Sequence, residues 1–598
     1  MAMNSHSASP TASAHFTRQA LALAVASSAI ELAIRASARA GWSLEDLGKL
    51  EAAAFVVTVL YVAPLAGLAR RTRRPYGVLW GALFGMHAAI NYRFEGVLNE
   101  FVRDPRVFLG VPAAFVLAAL PLVYADRWLS RVHWSALLGL SGAAIAVAGV
   151  RIAPDSGAAP ARADAPNVLI ISVDTLRRDR LGAYGHAIHT PSIDRLASEG
   201  ATFEQAIAEA PITEPSHLAM LTGIAPYRSG VVANGTVLGD RPALLWRALA
   251  AQGYETAGFV SGFPMHGKYG WGQSTQVWDD DFGAVAGFQS LSLIKLWNQV
   301  AVKEHALRER PADLTLARAL PWLRSRTDRP YFAFIHFYDV HGPYDAHGGL
   351  GPAPTDGAPL KLPFYWPARD QQVTDVAWLK AAYDKEVEHV DDAVGQIVQA
   401  LGSSLDHTVV ILTADHGESF TEHGYLFDHG DNLYDPSLRV PLIVRFPGAV
   451  TPGLRVGCQV GGVDLVPTIL DILHIDDDVV RDGRSLVMAL RGEACESVPV
   501  YSSTVAGRMV AVPPVAHSRR LPEEKIIFYS DKAPEYFDLG ADPGEATPLE
   551  NGASRDALDS LVHALQSGGT LLEAAQDSQT LEMLRALGYL NDEAKPTP

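Results

Sequence analysis

Three places in the chain hold residue types that can share a divalent ion. Asp174 closes the apolar run "NVLIISV" (167–173), and Asp415 and His416 close another, "TVVILTA" (408–414). Thr213 stands directly ahead of a helix start at Pro215 in "PITEPSHLAMLTG" (211–223). Two carboxylates, an imidazole and a hydroxyl make an O/O/O/N donor set that suits Zn, Mn or Mg and, with more waters, Ca. Contact with such an ion lowers the pKa of a hydroxyl, and a helix N-terminus favours an alkoxide and a bound oxyanion. Thr213 therefore reads as a nucleophile. Taken singly, each residue has a plainer use. A Thr before Pro at a helix start is an ordinary cap, a strand-end Asp is a turn residue, and "DHG" is a weak pattern. Only the combination has force.

The elements that must position these residues are legible. "NVLIISV" is continuously apolar, β-branched and sharply bounded, the pattern of a strand buried on both faces. "YFAFIHF" (331–337), "TVVILTA" and "VPLIVRF" (440–446) look alike. Between them, "YDKEVEHVDDAVGQIVQAL" (383–401) repeats Val387, Val390, Val394, Ile397 and Leu401 at helical steps, which gives one apolar face. Strands alternating with helices predict an α/β fold, a mostly parallel sheet flanked by helices, with ligands beyond the carboxyl ends of the strands. The polar residues obey that rule: Asp174, then His336, Asp339 and His341, then Asp415 and His416. His336 lies within its strand pattern and reads as a core histidine. From about residue 495, "VPVYSST", "EKIIFYS" and "EYFDL" predict a small antiparallel sheet, and "LEMLRALGYL" (581–590) a terminal helix.

The front of the chain has another texture. Residues 52–69, 76–92, 107–124 and 134–150 are apolar runs that approach the roughly 20 residues needed to span a bilayer. A weaker run at 19–34 carries Glu31, with Arg35 one turn later. About five spans are expected over residues 1–152, followed by a linker at 153–165 without periodicity. The cluster "RRTRR" (70–74) should remain in the cytoplasm, which puts everything after about residue 151 outside it. In a Gram-negative cell this means the inner membrane and the periplasm. The expected division is then a transmembrane anchor (1–152), the linker, a catalytic α/β domain (166–494) and a C-terminal small sheet with its helix (495–598).

Charge is divided the same way. Residues 1–152 carry a net +6 and the remainder −23, for −17 over the 598 residues. An acidic rear part argues against nucleic acid as a partner, and an anionic substrate needs a metal or local cations to hold it. The two cysteines, Cys458 and Cys495, exclude a disulfide scaffold and a cysteine metal site. A single bridge is open outside the cytoplasm, and nothing in the spacing argues for it.

A family resemblance then becomes visible. "PNVLIISVDTLRRDRLGAYGHAIHTPSIDRLASEGATFEQAIAEAPITEPSHLAMLTG" resembles the opening of the sulfatase family, within the alkaline phosphatase superfamily. "FAFIHFYDVHGPY", "TADHGESFTEHGYLFDHGDNLYDPSLRVPLIVRFPG", "VDLVPTILDILHI" and "EYFDLGADPGE" follow in the expected order over roughly residues 166 to 590. The resemblance implies a large α/β sandwich with a smaller C-terminal sheet. It also implies hydrolysis of sulfate or related esters at a divalent metal. It assigns Asp174, Asp415 and His416 as metal ligands, with Thr213 at the nucleophile position and so also at the ion. His341 and His429 fall near positions used for substrate oxyanions or the leaving group. His336 and Asp339 have no firm role, His423 in "TEHGY" is as much a loop residue as a site residue, and Lys268 in "MHGKYG" is a candidate counterpart of a family lysine.

The chain departs from the family pattern in two ways. Usual sulfatases resemble C-x-P-S-R or S-x-P-S-R, whose Cys or Ser is oxidised to formylglycine. Here the string is "TEPSH", and Thr cannot yield that aldehyde because its side-chain carbon carries a methyl group. His217 replaces the Arg. The usual Asp-Asp pair is Asp174-Thr175, so one oxygen ligand is weakened or lost. The site then resembles Thr-dependent phosphoesterases and phosphoalcohol transferases of the superfamily. Three functions are in view: a hydrolase of sulfuric or phosphoric esters, a phosphoethanolamine- or phosphoglycerol-type transferase acting on an envelope lipid or glycan, and a degenerate member that binds metal without turnover. Loops 262–312 and 343–375 would choose the substrate and show no legible code.

Overall fold

The computed structural model describes residues 165–549, apart from 240–242, 283–309, 327–328, 345–349, 364–365, 367–371, 506–514 and 530–531. The expected anchor at 1–152, nearly all of the linker and the terminal helix at 581–590 lie outside the described residues. Among the described residues no helix is long and apolar enough to cross a membrane.

The three apolar runs around the expected site become strands at the predicted bounds. They are β1 (Asn167–Val173), β5 (Tyr331–Phe337) and β6 (Thr408–Ala414), and every residue in them is buried. Each fully buried Val, Leu, Ile or Phe stabilises the fold by about 1.5–3 kcal/mol. The other large-sheet strands are β2 (Ala201–Ile207), β3 (Glu255–Val260), β4 (Val277–Asp279), β7 (Arg439–Val440), β8 (Leu442–Arg445) and β9 (Leu454–Gly461). The order is β4-β3-β5-β1-β6-β8-β2-β7, with β9 beside β2. β1 is the centre, parallel to β5 and to β6, with Val173 opposite both Phe337 and Ala414. That register delivers Asp174 and Asp415 to one rim side by side.

The sheet is mixed rather than simply parallel, because β8 runs antiparallel to both β6 and β2. "VPLIVRF" is also not one strand. Pro441 has no N–H for the ladder and separates β7 from β8.

Among the described residues, six helices of at least seven residues flank or support the sheet: α1 (Pro191–Glu199), α2 (Thr213–Thr222), α3 (Leu245–Ala251), α4 (Ala312–Arg324), α5 (Val376–Leu401) and α6 (Leu465–Ile472). α5 buries Val387, Val390, Val394, Ile397 and Leu401, as the spacing predicts. It begins earlier than residue 383, at Val376, where the Asp375 side chain accepts a hydrogen bond from the Ala377 amide.

The small sheet is an antiparallel run of β10 (Val500–Val505), β11 (Val515–Arg520), β12 (Glu524–Tyr529) and β13 (Glu535–Asp538). β11, "VAHSRR", is too polar to be read as a strand from sequence. The Ser503 amide donates to the Glu209 carbonyl at 2.8 Å, and Ser502 Oγ donates to the Ala208 carbonyl at 2.7 Å. A buried charge node adds to this seam. Arg520 donates twice to Asp435, at 2.9 and 2.8 Å, and Lys525 lies 2.9 Å from Asp435 and 2.6 Å from Glu545. Cys458 on β9 is bridged to Cys495, with Cα atoms 5.8 Å apart. The spacing argued for no such bond. The chain after Cys495 returns along β9, where Gln459 hydrogen-bonds Ser497 and Val498.

Candidate active site at the carboxyl rim of the large sheet

Asp174 leaves β1 with its amide bonded to the Phe337 carbonyl of β5 at 2.9 Å. The next residue, Thr175, has φ +55°, a left-handed backbone that a β-branched residue rarely adopts. Such strain costs of order 1–3 kcal/mol and persists where surroundings enforce it. Here three bonds do so. The Thr175 amide donates to Asp415 Oδ1 at 3.3 Å, its hydroxyl donates to the Asp174 carbonyl, and its own carbonyl accepts from Tyr383. The family's second aspartate position thus ties the ends of β1 and β6 together and presents no carboxylate.

His416 follows Asp415 with Nδ1 2.9 Å from the Gly417 carbonyl. A nitrogen facing a carbonyl carries the proton, so Nε2 keeps its lone pair. That Nε2 lies 3.8 Å from Asp174 Oδ1 and 3.6 Å from Asp415 Oδ2. Gly417 is required by packing, since a Cβ there would strike the Pro436 carbonyl.

Thr213 is not ahead of its helix. α2 begins at Thr213 itself, with Ile212 at the cap position and no side-chain cap from it. The reading of Thr213 as a cap is thereby removed. Its side chain lies against the Asp174 carboxylate instead, near enough to lower that group's pKa. Every residue of α2 is buried, and Ser216 Oγ donates to the Asp415 carbonyl at 2.5 Å, which locks the helix start to the metal-type residues.

Burial pushes the Asp174 carboxyl up to about 8, against the opposing influence of the Asp415 and Thr213 side chains. Burial first, and then the Asp174 charge, hold Asp415 well above the carboxylate range. Burial pulls His416 down to about 4. Asp415 Oδ2 and His416 Nε2 are buried without a hydrogen-bond partner. Two crowded carboxylates, a neutral imidazole and a hydroxyl at one point fit a divalent cation. Asp174, Asp415 and His416 bring ligand atoms within 4.8 Å of one another.

His341 and His429 lie against this cluster. The ring centroids of His416 and His429 are 4.6 Å apart, and those of His429 and His341 4.9 Å. Burial holds His341 well below its ordinary pKa. His429 Nδ1 lies 3.3 Å from both oxygens of Glu418, a buried residue that the sequence reading passed over although it sits inside "DHGES".

The remaining expectations divide. His217 does not reach outward as an arginine would. Its Nδ1 donates to the Thr213 carbonyl at 2.8 Å and its Nε2 accepts from Ser172 Oγ at 2.9 Å, so it is a strut between α2 and β1. Burial keeps it neutral, well below its ordinary pKa. His336 is no satisfied core histidine: neither ring nitrogen has a hydrogen-bond partner, and Nε2 lies 3.4 Å from Asp174 Oδ2. Asp339 accepts from the Ala312 amide at the start of α4. His423 stacks on Tyr434 at 3.6 Å, toward the small sheet. Lys268 covers the rings of Phe263 and Tyr269, and its charge acts on Glu214, the neighbour of Thr213.

Comparison with known proteins places the chain in one family. The family model described as Sulfatase matches residues 166–475, just over half of the chain. A model of the C-terminal part of N-sulphoglucosamine sulphohydrolase matches residues 421–575. The choline-sulfatase of Rhizobium meliloti is 26% identical over 437 residues, covering 64% of this chain and 82% of that protein. An uncharacterized sulfatase of Escherichia coli is 26% identical over 361 residues, 54% of this chain and 70% of the other. The solved phosphonate monoester hydrolase of Agrobacterium radiobacter superposes with a TM-score of 0.52 at 22% identity, over 71% of this chain and 96% of that one. This last likeness is one of fold.

Proposed function

Because the chain belongs to the sulfatase family, a family of ester hydrolases that bind a divalent metal, we propose that it cleaves sulfuric or phosphoric esters with Thr213 as nucleophile. Asp174, Thr213, Asp415 and His416 would hold the ion. The observation that carries this reading is the Thr213 side chain on the first turn of α2, set against Asp174 beside the Asp415–His416 pair. When bound, the ion would acidify that hydroxyl and offset negative charge developing on the substrate. Thr213 Oγ, its proton given up to solvent, then forms the bond to sulfur or phosphorus as the bond to the departing oxygen, in line with it, breaks. His429 gives its proton to that oxygen, and Glu418 stabilises the imidazolium that supplies it. His341, kept neutral with its Nδ1 proton on the Gly342 carbonyl at 2.7 Å, would accept a hydrogen bond at Nε2 from a hydroxyl of the substrate or acceptor. Water, or an acceptor alcohol, releases the group from Thr213 and returns a proton to His429. A member that only binds metal would have no use for the paired His429 and Glu418.

The reading extends to location. Residues 1–152 would anchor the chain in a membrane, with the catalytic part (166–494) and the small-sheet part (495–598) outside the cytoplasm. The Cys458–Cys495 bridge supports an oxidising compartment. The substrate would be an anionic ester on a lipid or glycan at that surface.

The test compares turnover of an aryl sulfate and an aryl phosphodiester, each with and without chelator and an acceptor alcohol, in wild type and Thr213→Ala. Chelator-sensitive cleavage that vanishes in the variant is expected. Full activity in Thr213→Ala would sink the mechanism. A product carrying the acceptor alcohol would mark a transferase.

A further inference from the structure

We infer that Glu214 is the positioning residue of Thr213, holding the nucleophile's peptide plane through a reciprocal exchange of hydrogen bonds with the turn at Asn234–Thr236. This rests on the nucleophile reading above. The first amides of a helix have no partner within it, so at the start of α2 they must be met from outside. Pro215 has no N–H, and the Ser216 amide already reaches the Ile212 carbonyl at 3.1 Å. The Glu214 amide donates instead to Asn234 Oδ1 at 2.7 Å. In return, the amides of Gly235 and Thr236 both donate to Glu214 Oε2, the second at 3.2 Å. Gly235 has φ +88°, a left-handed backbone that turns two successive amides toward one oxygen.

The exchange fixes the plane between Thr213 and Glu214 from both sides. The Thr213 carbonyl accepts from His217 Nδ1 at 2.8 Å, and the amide of the same plane is the one held by Asn234. A threonine in a helix divides between two χ1 wells, so a fixed plane leaves its hydroxyl few directions. The turn is anchored in its own right. The Leu238 amide donates to the Tyr269 carbonyl at 2.8 Å, on the segment that carries Lys268. Glu214 and Asn234 are both buried, so water does not compete for these bonds. Glu214 therefore acts on the reaction through Thr213, by reach rather than by charge.

The test uses the full-length protein and the same aryl sulfate and aryl phosphodiester. Glu214→Ala should lower kcat about 10²-fold, the cost of a misplacement on the order of 1 Å, with KM and bound metal unchanged. Glu214→Gln keeps an oxygen at the same reach and should retain most of kcat. Glu214→Asp keeps the charge, loses the reach, and should fall with the Ala variant. A merely structural glutamate would lower the thermal midpoint and leave kcat per folded molecule intact, so full kcat in Glu214→Ala overturns the inference. Equal losses in Glu214→Gln and Glu214→Ala overturn it too, because the carboxylate itself would then be at work. If Glu214→Ala does not fold, Asn234→Ala and Asn234→Asp decide. The Asp variant alone keeps an acceptor for the Glu214 amide, and equal kcat in the two overturns the inference. Full activity in Thr213→Ala fails at the nucleophile itself. An inactive Thr213→Ala beside a fully active Glu214→Ala fails only at Glu214.

Discussion

A threonine hydroxyl is a weak nucleophile at its ordinary pKa, and neighbours must change that. Thr213 lies against a carboxylate that burial has pushed up to about 8. The sign of the consequence is fixed. Between the ordinary 3.8 and about 8, the metal-free folded chain keeps a proton on Asp174 that the unfolded chain has lost. Stability of the metal-free protein should therefore fall as pH rises through that window. Metal binding expels the same proton, so affinity should rise with pH up to about 8. Calorimetry in buffers of different ionisation heat would read the released proton. A pH-independent affinity would exclude Asp174 as a ligand. His429 gives a second expectation. His429→Ala should lose about 10²–10⁴-fold in kcat on esters of poor leaving groups, and little on nitrophenyl esters whose oxygen departs unaided. Glu418→Gln should follow the same pattern more weakly. Equal losses on both substrates would assign the pair to binding. At this scale the proposed ligand residues were legible, because Asp174 and Asp415–His416 close obvious strands. Glu418 was not, being a glutamate whose value comes from a histidine 11 positions away.

At the scale of elements, β1, β5 and β6 could be bounded from sequence because continuous apolar runs leave few alternatives. Their neighbours could not. β11 is polar on paper and becomes a strand because β10 and β12 pair with it, and β8 turns antiparallel through contacts distant in sequence. The start of α2 shows the same limit: Pro215 fits the first turn, and tertiary packing starts that turn at Thr213. The Asp435 node is the element-level test. Although burial acts the other way, Lys525 and Arg520 hold Asp435 far below the carboxylate range. Asp435→Ala leaves two buried cations facing Glu545 alone and should destabilise the protein by about 3–5 kcal/mol, the cost of breaking a buried pair. Chemical denaturation would read it. A loss under about 1 kcal/mol, the level of an exposed pair, would mean that water reaches the node.

Over the whole molecule, one covalent link closes a loop of 37 residues between β9 and the approach to the small sheet. Closing a loop of this size stabilises by about 2–4 kcal/mol. Cys458→Ser with Cys495→Ser should therefore lower the thermal midpoint and leave kcat unchanged, since the bridge touches none of the site residues. An unchanged midpoint would show that β9 is held by its pairing with β2 alone. The charge node has a consequence in time as well. Asp435 follows closely on the loop that carries His416, Glu418 and His429, whereas its hydrogen-bonded cationic partners, Arg520 and Lys525, come 85 and 90 residues later in the chain. On the ribosome, that carboxylate waits with Arg439, 3.8 Å from it in the folded chain, as its one nearby cation at the edge of a half-made core. A nascent chain can pair β1 with β5 and β6, yet it stays unfinished until residue 545 has emerged, so a truncated product would be left without a settled catalytic loop.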